Sequence, residues 1–329
     1  MMIDMKKSII SMIVLTVLFT SCEKDDLTPD IPNNVYVAGV KWTTNWLNQS
    51  DAVLWNNGKS TIFSKDGGQA NSVFVSGNDV YVVGQVLGYN YSIATLWKNG
   101  KAQILYEGDC FPNANSVFVS GEDVYVAGEK ENSPTLWKNG ISQKLADSGH
   151  AYSVYFVNHD VYVVGLTSSG SKLWKNGIEE AIEMIHARSV FVANDDVYVV
   201  GEDNSQGYNV VTLWKNGEIQ HLTNEDTYGF GYSVFVSGND VYVAGSERNE
   251  GVGSGYRHVA KVWKNGIPQN LTDGNKDSYA HSVFVSGNDV YVVGKQEGVA
   301  KLWINGKVHN LNEKTKKNSA EAFSVFVKN

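Results

Sequence analysis

Seven positions in this chain share their neighbours but differ in the residue that they carry. Each follows Ala or Gly and precedes Ser. The residues are Asn71, Asn115, Tyr152, Arg188, Tyr232, His281 and Phe323. Amide, phenol, guanidinium and imidazole groups form hydrogen bonds, and aromatic faces pack against apolar C–H surfaces. A constant frame around such varied side chains predicts a ring of ligand-binding residues, although an unconstrained position would show the same variation.

The same residues also offer acid–base chemistry. His281 or His186, together with Arg188 and Tyr232, could form the general acid–base group of a lyase or hydrolase. No carboxylate occupies the varied position, and the chain has no glycine-rich phosphate loop, His-Glu-x-x-His, paired-cysteine or Gly-x-Ser-x-Gly motif. The sequence therefore favours binding over catalysis, and it predicts neither a cofactor nor a metal ion.

Two repeated motifs must position these residues. A segment close to Ser-Val-Phe-Val-Ser-Gly-Asn-Asp-Val-Tyr-Val-Val-Gly occurs seven times, if one copy is split between the two ends of the chain. Leu-Trp-Lys-Asn-Gly, or a near copy, also occurs seven times, with tryptophans 37 to 49 residues apart. A period of about 40 residues made of strands and turns is typical of a β-propeller, so the count predicts seven blades.

Each repeat predicts a blade of four antiparallel strands, A to D. In the second copy, residues 72–75 predict strand A, residues 80–83 predict strand B, and Asn99-Gly100 predicts a type I′ hairpin between strands C and D. We expect residues 84–95 to be mostly loop. Strands A and B are apolar at successive positions, which is typical of strands buried on both faces. The repeated tryptophans are expected in the core between blades: Trp55, Trp97, Trp137, Trp174, Trp214, Trp263 and Trp303.

Two polar residues of the first motif predict structural roles. The aspartate of the A–B turn is expected to accept a backbone N–H within that turn, rather than to bind calcium. Its copies are Asp79, Asp123, Asp160, Asp196, Asp240 and Asp289, with Asn34 in the first repeat. The serine that opens strand A is likewise expected to make a local hydrogen bond.

The repeats are out of phase with the ends of the chain. Residues 34–39 predict a strand B and residues 324–327 a strand A. The last blade must therefore combine the C-terminal strand A with the N-terminal strands B, C and D, which closes the ring. The sequence predicts an all-β, seven-bladed propeller over residues 34–329. Its repeat resembles WD40, kelch, sialidase and quinone-type propellers only in general form, because it lacks their characteristic motifs, so no functional residues carry over.

Spacing distinguishes the two faces of the propeller. The A–B and C–D turns have constant lengths, whereas the B–C connections vary. Variable connections on a rigid scaffold are where binding usually occurs. We therefore expect the seven varied residues at the mouth of the central channel on the variable face. Trp42 and Trp46, the two tryptophans outside the repeats, are expected to extend this site. Aromatic faces beside amides suit a glycan, and they suit a protein partner equally well.

The first 21 residues have the features of an export signal. Two lysines precede an apolar run at residues 9–19, which is too short to span a membrane, and small residues then lead to Cys22. This resembles a bacterial lipoprotein signal. The resemblance implies removal of residues 1–21, acylation of Cys22 with palmitate-type chains, and a lipidated tether over residues 22–33; an ordinary secretory signal is the alternative. Acylation would leave Cys110 without an internal partner, so we predict no disulfide.

Location and function follow from the anchor and the fold. Acidic residues after Cys22 resemble the surface-export tag of some Gram-negative lipoproteins, which favours the outer surface of the outer membrane over its periplasmic side. The formal net charge of −8, without a basic cluster, argues against nucleic acid as a ligand. We predict a cell-envelope lipoprotein that binds a glycan or a protein on the face pointing away from the membrane. The alternatives are a channel enzyme and a scaffold in an envelope complex.

Overall fold

The computed structural model describes residues 31–43, 50–65, 67–88, 90–205, 207–224, 227–249, 256–313, 315 and 318–328. The predicted signal segment, Cys22 and Trp46 lie outside these residues. The described chain forms β-strands joined by turns, and it contains no helix long and apolar enough to cross a membrane.

The strands fall into seven groups of four along the chain. Their bounds are β1 (Val35–Trp42), β2 (Ser50–Asn56), β3 (Lys59–Ser64), β4 (Gly68–Ser76), β5 (Asp79–Leu87), β6 (Ser92–Lys98), β7 (Lys101–Gly108), β8 (Asn113–Ser120), β9 (Asp123–Lys130), β10 (Ser133–Lys138), β11 (Ile141–Lys144), β12 (Gly149–Val157), β13 (Asp160–Thr167), β14 (Gly170–Lys175), β15 (Ile178–Ala181), β16 (His186–Ala193), β17 (Asp196–Ser205), β18 (Tyr208–Lys215), β19 (Glu218–His221), β20 (Gly229–Ser237), β21 (Asp240–Asn249), β22 (Arg257–Lys264), β23 (Ile267–Asn270), β24 (Ser278–Ser286), β25 (Asp289–Gln296), β26 (Val299–Ile304), β27 (Lys307–Asn310) and β28 (Ser319–Val327).

Seven four-stranded antiparallel sheets form the blades of a β-propeller, which confirms the predicted fold class. Blade 1 contains β28, β1, β2 and β3 in that order, and blades 2 to 7 contain β4–β7, β8–β11, β12–β15, β16–β19, β20–β23 and β24–β27. In blade 1, β28 pairs with β1 from Val35↔Val327 to Trp42↔Ser319. The predicted closure, in which the C-terminal strand A completes the N-terminal blade, is therefore confirmed.

Strands B and C are longer than the sequence suggested. β5 continues to Leu87 and β6 begins at Ser92, so the expectation that residues 84–95 are mostly loop was wrong. Pairing continues because the ladder satisfies the backbone N–H and C=O groups of both strands. In blade 3 the connection shrinks to Glu131 and Asn132, whereas in blade 6 the paired hairpin reaches Asn249. The variable spacing between strand B and the tryptophan motif thus reflects B–C hairpins of different length.

The repeated tryptophans fill the spaces between neighbouring blades. Trp97 of blade 2 packs with Ala38 and Leu54 of blade 1, and Trp55 of blade 1 packs with Leu302 of blade 7. Each of seven such clusters contains one of these tryptophans, none more than 6% exposed. Their predicted place in the core is confirmed. Truncating a buried side chain of this size typically costs roughly 3–5 kcal/mol of stability.

The repeated Asp, Lys and Asn residues tie the A–B turn to the C–D turn. Asp79 accepts a hydrogen bond from Asn99 Nδ2 (2.7 Å) and forms an ion pair with Lys98 (2.8 Å), and Asn99 Oδ1 accepts the N–H of Val80 (2.8 Å). The expected bond from Asp79 to its own turn was wrong. Asn99 takes the backbone N–H instead, because the predicted type I′ turn, with φ of 52° at Asn99 and 79° at Gly100, directs its side chain over strand B. Hydrogen bonds from Lys98 and Asn99 lower the pKa of Asp79.

The serine that opens strand A links neighbouring blades, so the local role expected for it was also wrong. Ser72 Oγ accepts the N–H of Val117 in blade 3 (3.3 Å), and Ser324 Oγ of blade 1 accepts the N–H of Val73 (3.2 Å). The same bond recurs at every blade junction and closes a cycle around the channel.

A second cycle, of aromatic rings, lies two residues further along strand A. Neighbouring ring centroids are 4.6 to 5.0 Å apart, which is close aromatic contact. Its members are Phe74, Phe118, Tyr155, Phe191, Phe235, Phe284 and Phe326. This aromatic collar lines the channel, so the innermost strands contact one another through side chains as well as through the serine bonds.

The serine cycle predicts a measurable loss of stability. Ser72→Ala leaves the N–H of Val117 without its acceptor, which should cost about 1 kcal/mol of unfolding free energy. Ser76, at the other end of β4, donates and accepts no side-chain hydrogen bond among the described residues, so Ser76→Ala should change stability little. Urea denaturation of both variants makes the comparison. Equal losses would contradict a bridging role for Ser72.

Candidate functional site

A β-bulge places each of the seven varied residues. Ala70 pairs with Gly84 and Ser72 pairs with Val83, so Asn71 has no partner on strand B. The same shift occurs at Asn115, Tyr152, Arg188, Tyr232, His281 and Phe323. A bulge residue turns out of the regular ladder. The seven side chains therefore lie at equivalent positions of the innermost strands, at the end where the B–C hairpins lie. We call this set the mouth ring.

A glycine on strand B makes each bulge possible. A Cβ atom on Gly84 would collide with the carbonyl oxygen of Gln69 and crowd the Cα of Ala70. The same carbonyl approach occurs at the other copies, Gly39, Gly128, Gly165, Gly201, Gly245 and Gly294. The glycine that ends the first repeated motif is thus the residue whose missing side chain lets strand A come close and bulge.

The structure brings the mouth ring together as two arcs. In blades 5, 6, 7 and 1 the side chains contact one another in turn, and we call Arg188, Tyr232, His281 and Phe323 the aromatic arc. The Arg188 guanidinium lies 5.5 Å from the centre of the Tyr232 ring, Tyr232 meets His281 edge-on at 4.8 Å, and His281 lies 5.7 Å from Phe323. All seven residues are half-buried, so each keeps some exposed surface at the mouth.

The opposite arc is a chain of amides in blades 2 and 3. Gln69 donates to Asn71 (2.7 Å), Asn71 donates to Asn113 (2.8 Å), and Asn113 donates to Asn115 (2.9 Å). Asn71 and Asn115 also donate to the backbone carbonyls of the next blade. These bonds fix the amides in one orientation, so the arc presents an ordered polar wall.

Arg188 is held by a carboxylate that the sequence analysis did not identify. Its Nε atom donates to both oxygens of Glu202, at 2.7 and 2.8 Å, and the N–H of Gly231 donates to the same carboxylate at 3.2 Å. Glu202 is fully buried. Burial acts to lower the pKa of Arg188, but the charge of Glu202 and its hydrogen bonds outweigh that effect, so the guanidinium keeps its proton.

A second buried carboxylate joins blades 7 and 1. Glu321 lies 2.7 Å from His281 Nε2 and 2.9 Å from Lys295 Nζ. Burial tends to raise the pKa of Glu321, but the hydrogen bond and charge of His281, with the charge of Lys295, hold it below the ordinary value. The charged form of Glu321 is therefore the one that stabilises the fold.

Three tyrosines in or beside the mouth ring remain hydrogen-bond donors. Burial raises the pKa values of Tyr152, Tyr232 and Tyr279, so their phenols stay protonated at neutral pH. Their hydroxyls bond to no residue within the described chain. A protonated phenol donates a hydrogen bond and cannot act as a general base. The raised pKa therefore disfavours a general-base role for Tyr232 and leaves it a hydrogen-bond donor.

Of the two tryptophans predicted to extend the site, Trp42 lies in the described part of the chain. Trp42 ends β1 and pairs with Ser319, away from Phe323 on the same strand. With residues of the connection between β27 and β28 it lines a lateral cavity of about 360 Å³. Trp46 lies outside the described residues. The described part of the chain holds no group of three or more His, Cys, Asp or Glu residues placed to bind a metal ion.

Sequence analysis missed three buried carboxylates beside the mouth ring. Glu129 and Glu202 directly follow a strand B glycine, and Glu321 lies two residues before Phe323. Glu129 contacts His150 as Glu202 contacts Arg188. The positions that flank each bulge also vary between repeats, so their comparison would have found these carboxylates.

Comparison with known proteins gives similarity in fold alone. No protein-family model matches the chain, and no curated protein matches its sequence. TolB from Acinetobacter baumannii is similar in structure, at 10% identity and a TM-score of 0.42, over 65% of this chain and 62% of TolB. An acylaminoacyl peptidase, solved with Z-Gly-Gly-Phe-chloromethyl ketone, is similar at 14% identity and a TM-score of 0.49, over 86% of this chain and 51% of the peptidase. The chain thus spans between half and two thirds of these proteins.

Glu321 predicts a specific acid sensitivity. Because its pKa is lowered in the folded state, its contribution to stability is complete above the ordinary carboxyl pKa and is lost as the pH falls through the folded value. Glu321→Gln should cost roughly 3 kcal/mol of unfolding free energy at neutral pH, and its stability should decline less steeply than that of the wild type below about pH 4.5.

Urea denaturation between pH 3 and pH 7 measures both effects. Glu180→Gln, on the exposed strand β15, is the matched control and should reproduce the wild-type profile. Parallel pH profiles for the wild type and Glu321→Gln would show that Glu321 does not stabilise the fold through its charge.

Proposed function

We propose that this protein is a lipid-anchored binding module of the bacterial cell envelope that holds a glycan at the mouth ring. The observation that carries the proposal is that the backbone setting of the mouth ring is constant while its side chains differ. Seven identical frames, each a bulge, a glycine and a serine, present seven half-buried side chains of different chemistry. Positions with a structural role elsewhere in the blades repeat one residue type, as the tryptophans do.

The chemistry of the two arcs supports a sugar as the ligand. The aromatic arc contains Phe323, His281 and Tyr232, and the amide arc contains Asn71 and Asn115. A pyranose ring has an apolar C–H face and a rim of hydroxyls. It can therefore pack one face on aromatic rings while its hydroxyls reach an ordered polar wall.

A protein partner is the second candidate, and a separate cluster favours it. On the outer hairpins of blades 5 and 6, Arg248 packs over Tyr256 at 3.4 Å and over Tyr228 at 5.3 Å, and Tyr228 contacts Tyr208. Tyr256 is 60% exposed. Exposed Tyr and Arg are typical of protein-binding hot spots. A lyase or hydrolase has less support, because the carboxylates near the mouth ring are engaged with basic side chains and the protonated phenols cannot act as general bases.

The orientation of the site relative to the anchor is supported by the ends of the ring. The N–H of Val35 bonds to Asn57 in the C–D turn of blade 1, and the N–H of Lys328 bonds to the carbonyl of Asn34. Both ends of the propeller therefore lie on the face of the constant turns. A tether that leaves from this face would point the mouth ring away from an outer membrane, at the cell surface or toward the periplasm.

Lipidation can be tested at Cys22. In cells fed a palmitate analogue, the wild type should incorporate the label and partition with membranes. Cys22→Ala should lose the label and leave the membrane fraction, because two acyl chains supply the anchor. Cys110→Ala is the control and should behave as the wild type. Incorporation of label into Cys22→Ala would rule out the proposed anchor.

Glycan binding can be tested on an array with the full-length protein purified in detergent. Tyr152→Ala and Phe323→Ala should each weaken binding of a bound glycan roughly tenfold, because each removes about 1–1.5 kcal/mol of aromatic contact. Tyr256→Ala removes an aromatic from the outer hairpins and should leave the affinity unchanged. Loss of binding only in Tyr256→Ala would move the site to the outer hairpins and favour the protein partner.

A further inference from the structure

Arg188 is fixed from one side only. Its Nε atom donates to both carboxylate oxygens of Glu202, at 2.7 and 2.8 Å, and Glu202 is itself fully buried and bonded to the N–H of Gly231. The Nη atoms of Arg188 donate to no residue within the described chain. Its side chain is 30% exposed. The carboxylate thus holds the guanidinium in place while its outer edge stays available at the mouth.

The neighbours of Arg188 add donors of the same kind. Tyr152 precedes it in blade 4 and Tyr232 follows it in blade 6, with the Tyr232 ring 5.5 Å from the guanidinium. Both phenols interact electrostatically with Arg188 and remain protonated. The free polar groups of these three residues are therefore the Nη atoms of Arg188 and the hydroxyls of Tyr152 and Tyr232. All of them can donate hydrogen bonds. A ligand group that only accepts hydrogen bonds, and that carries negative charge, matches them.

The negative charges nearby do not oppose such a ligand. Glu202 is paired with Arg188, Glu321 with Lys295 and His281, and Glu129 contacts His150. Each buried carboxylate near the mouth ring thus has a basic partner. The planar outer edge of a guanidinium matches the two oxygens of a carboxylate, which gives a bidentate contact.

We infer that the bound glycan contains a uronic acid, and that its carboxylate sits on the Nη edge of Arg188 between Tyr152 and Tyr232. This inference rests on the proposed function, because it names the class of sugar that the mouth ring takes. The aromatic arc would then carry the face of the same sugar ring.

Matched sugars test the inference. Oligosaccharides of glucose, galactose and mannose are compared with their glucuronate, galacturonate and mannuronate counterparts, and with 6-sulfated forms, by calorimetric titration of the full-length protein in detergent. One uronate should bind at least tenfold more tightly than its neutral counterpart. Arg188→Lys keeps the charge but loses the planar, two-pronged guanidinium edge, so the ratio of uronate affinity to neutral-sugar affinity should fall toward one.

The control and the contrary outcomes separate the two proposals. Arg248→Lys makes the same change on the outer hairpins and should keep the acid preference. If Arg188→Lys fails to fold, Tyr152→Phe with Tyr232→Phe removes only the two hydroxyls and should reduce the preference several-fold. Equal affinity for neutral and acidic sugars, or tighter binding of the sulfated form, would overturn the uronate inference and leave glycan binding standing. Failure of all these sugars to bind would count against glycan binding itself.

Discussion

The close crossing of strands A and B at a glycine is the contact on which this molecule depends. The carbonyl of the residue two before each bulge occupies the space where a Cβ atom would lie, as Gln69 does at Gly84. That approach lets strand A take one extra residue, and the extra residue is the one that reaches the channel. A larger residue at any of these glycines would force the strands apart and withdraw one side chain from the mouth ring.

Stability depends on repeated residues, whereas the proposed recognition depends on varied ones. Tryptophans between blades, serine bridges and turn clamps recur in nearly every blade, so no single copy carries the fold. That redundancy leaves the bulge positions free to differ. The division is incomplete at Glu202 and Glu321, because a buried charge left without its partner costs roughly 3–5 kcal/mol. At these two places the residues that shape the site also hold adjacent blades together.

The sequence predicted the architecture well because periodicity reports local structure that is repeated. Seven tryptophan motifs specified seven blades, and the Asn-Gly pairs specified their turns. The repeats predicted the tryptophan contacts between blades but not the polar ones. Ser72 bonds to Val117 in the next repeat, and Glu321 meets His281 across the junction of blades 7 and 1, so neither pair has a characteristic spacing. The predicted strands B and C were too short, because backbone pairing continues beyond the apolar residues that identify a strand in the sequence.

Blade 1 combines strands from the two ends of the propeller, and this affects folding during synthesis. β28 lies beside β1, so blade 1 stays one strand short until β28 has been synthesised. Until then the edge of β1 is open to unintended pairing. The same strand brings Glu321 and Phe323, which complete the wall of the mouth. Without β28, blade 1 would have three strands, and the mouth ring would lack Phe323.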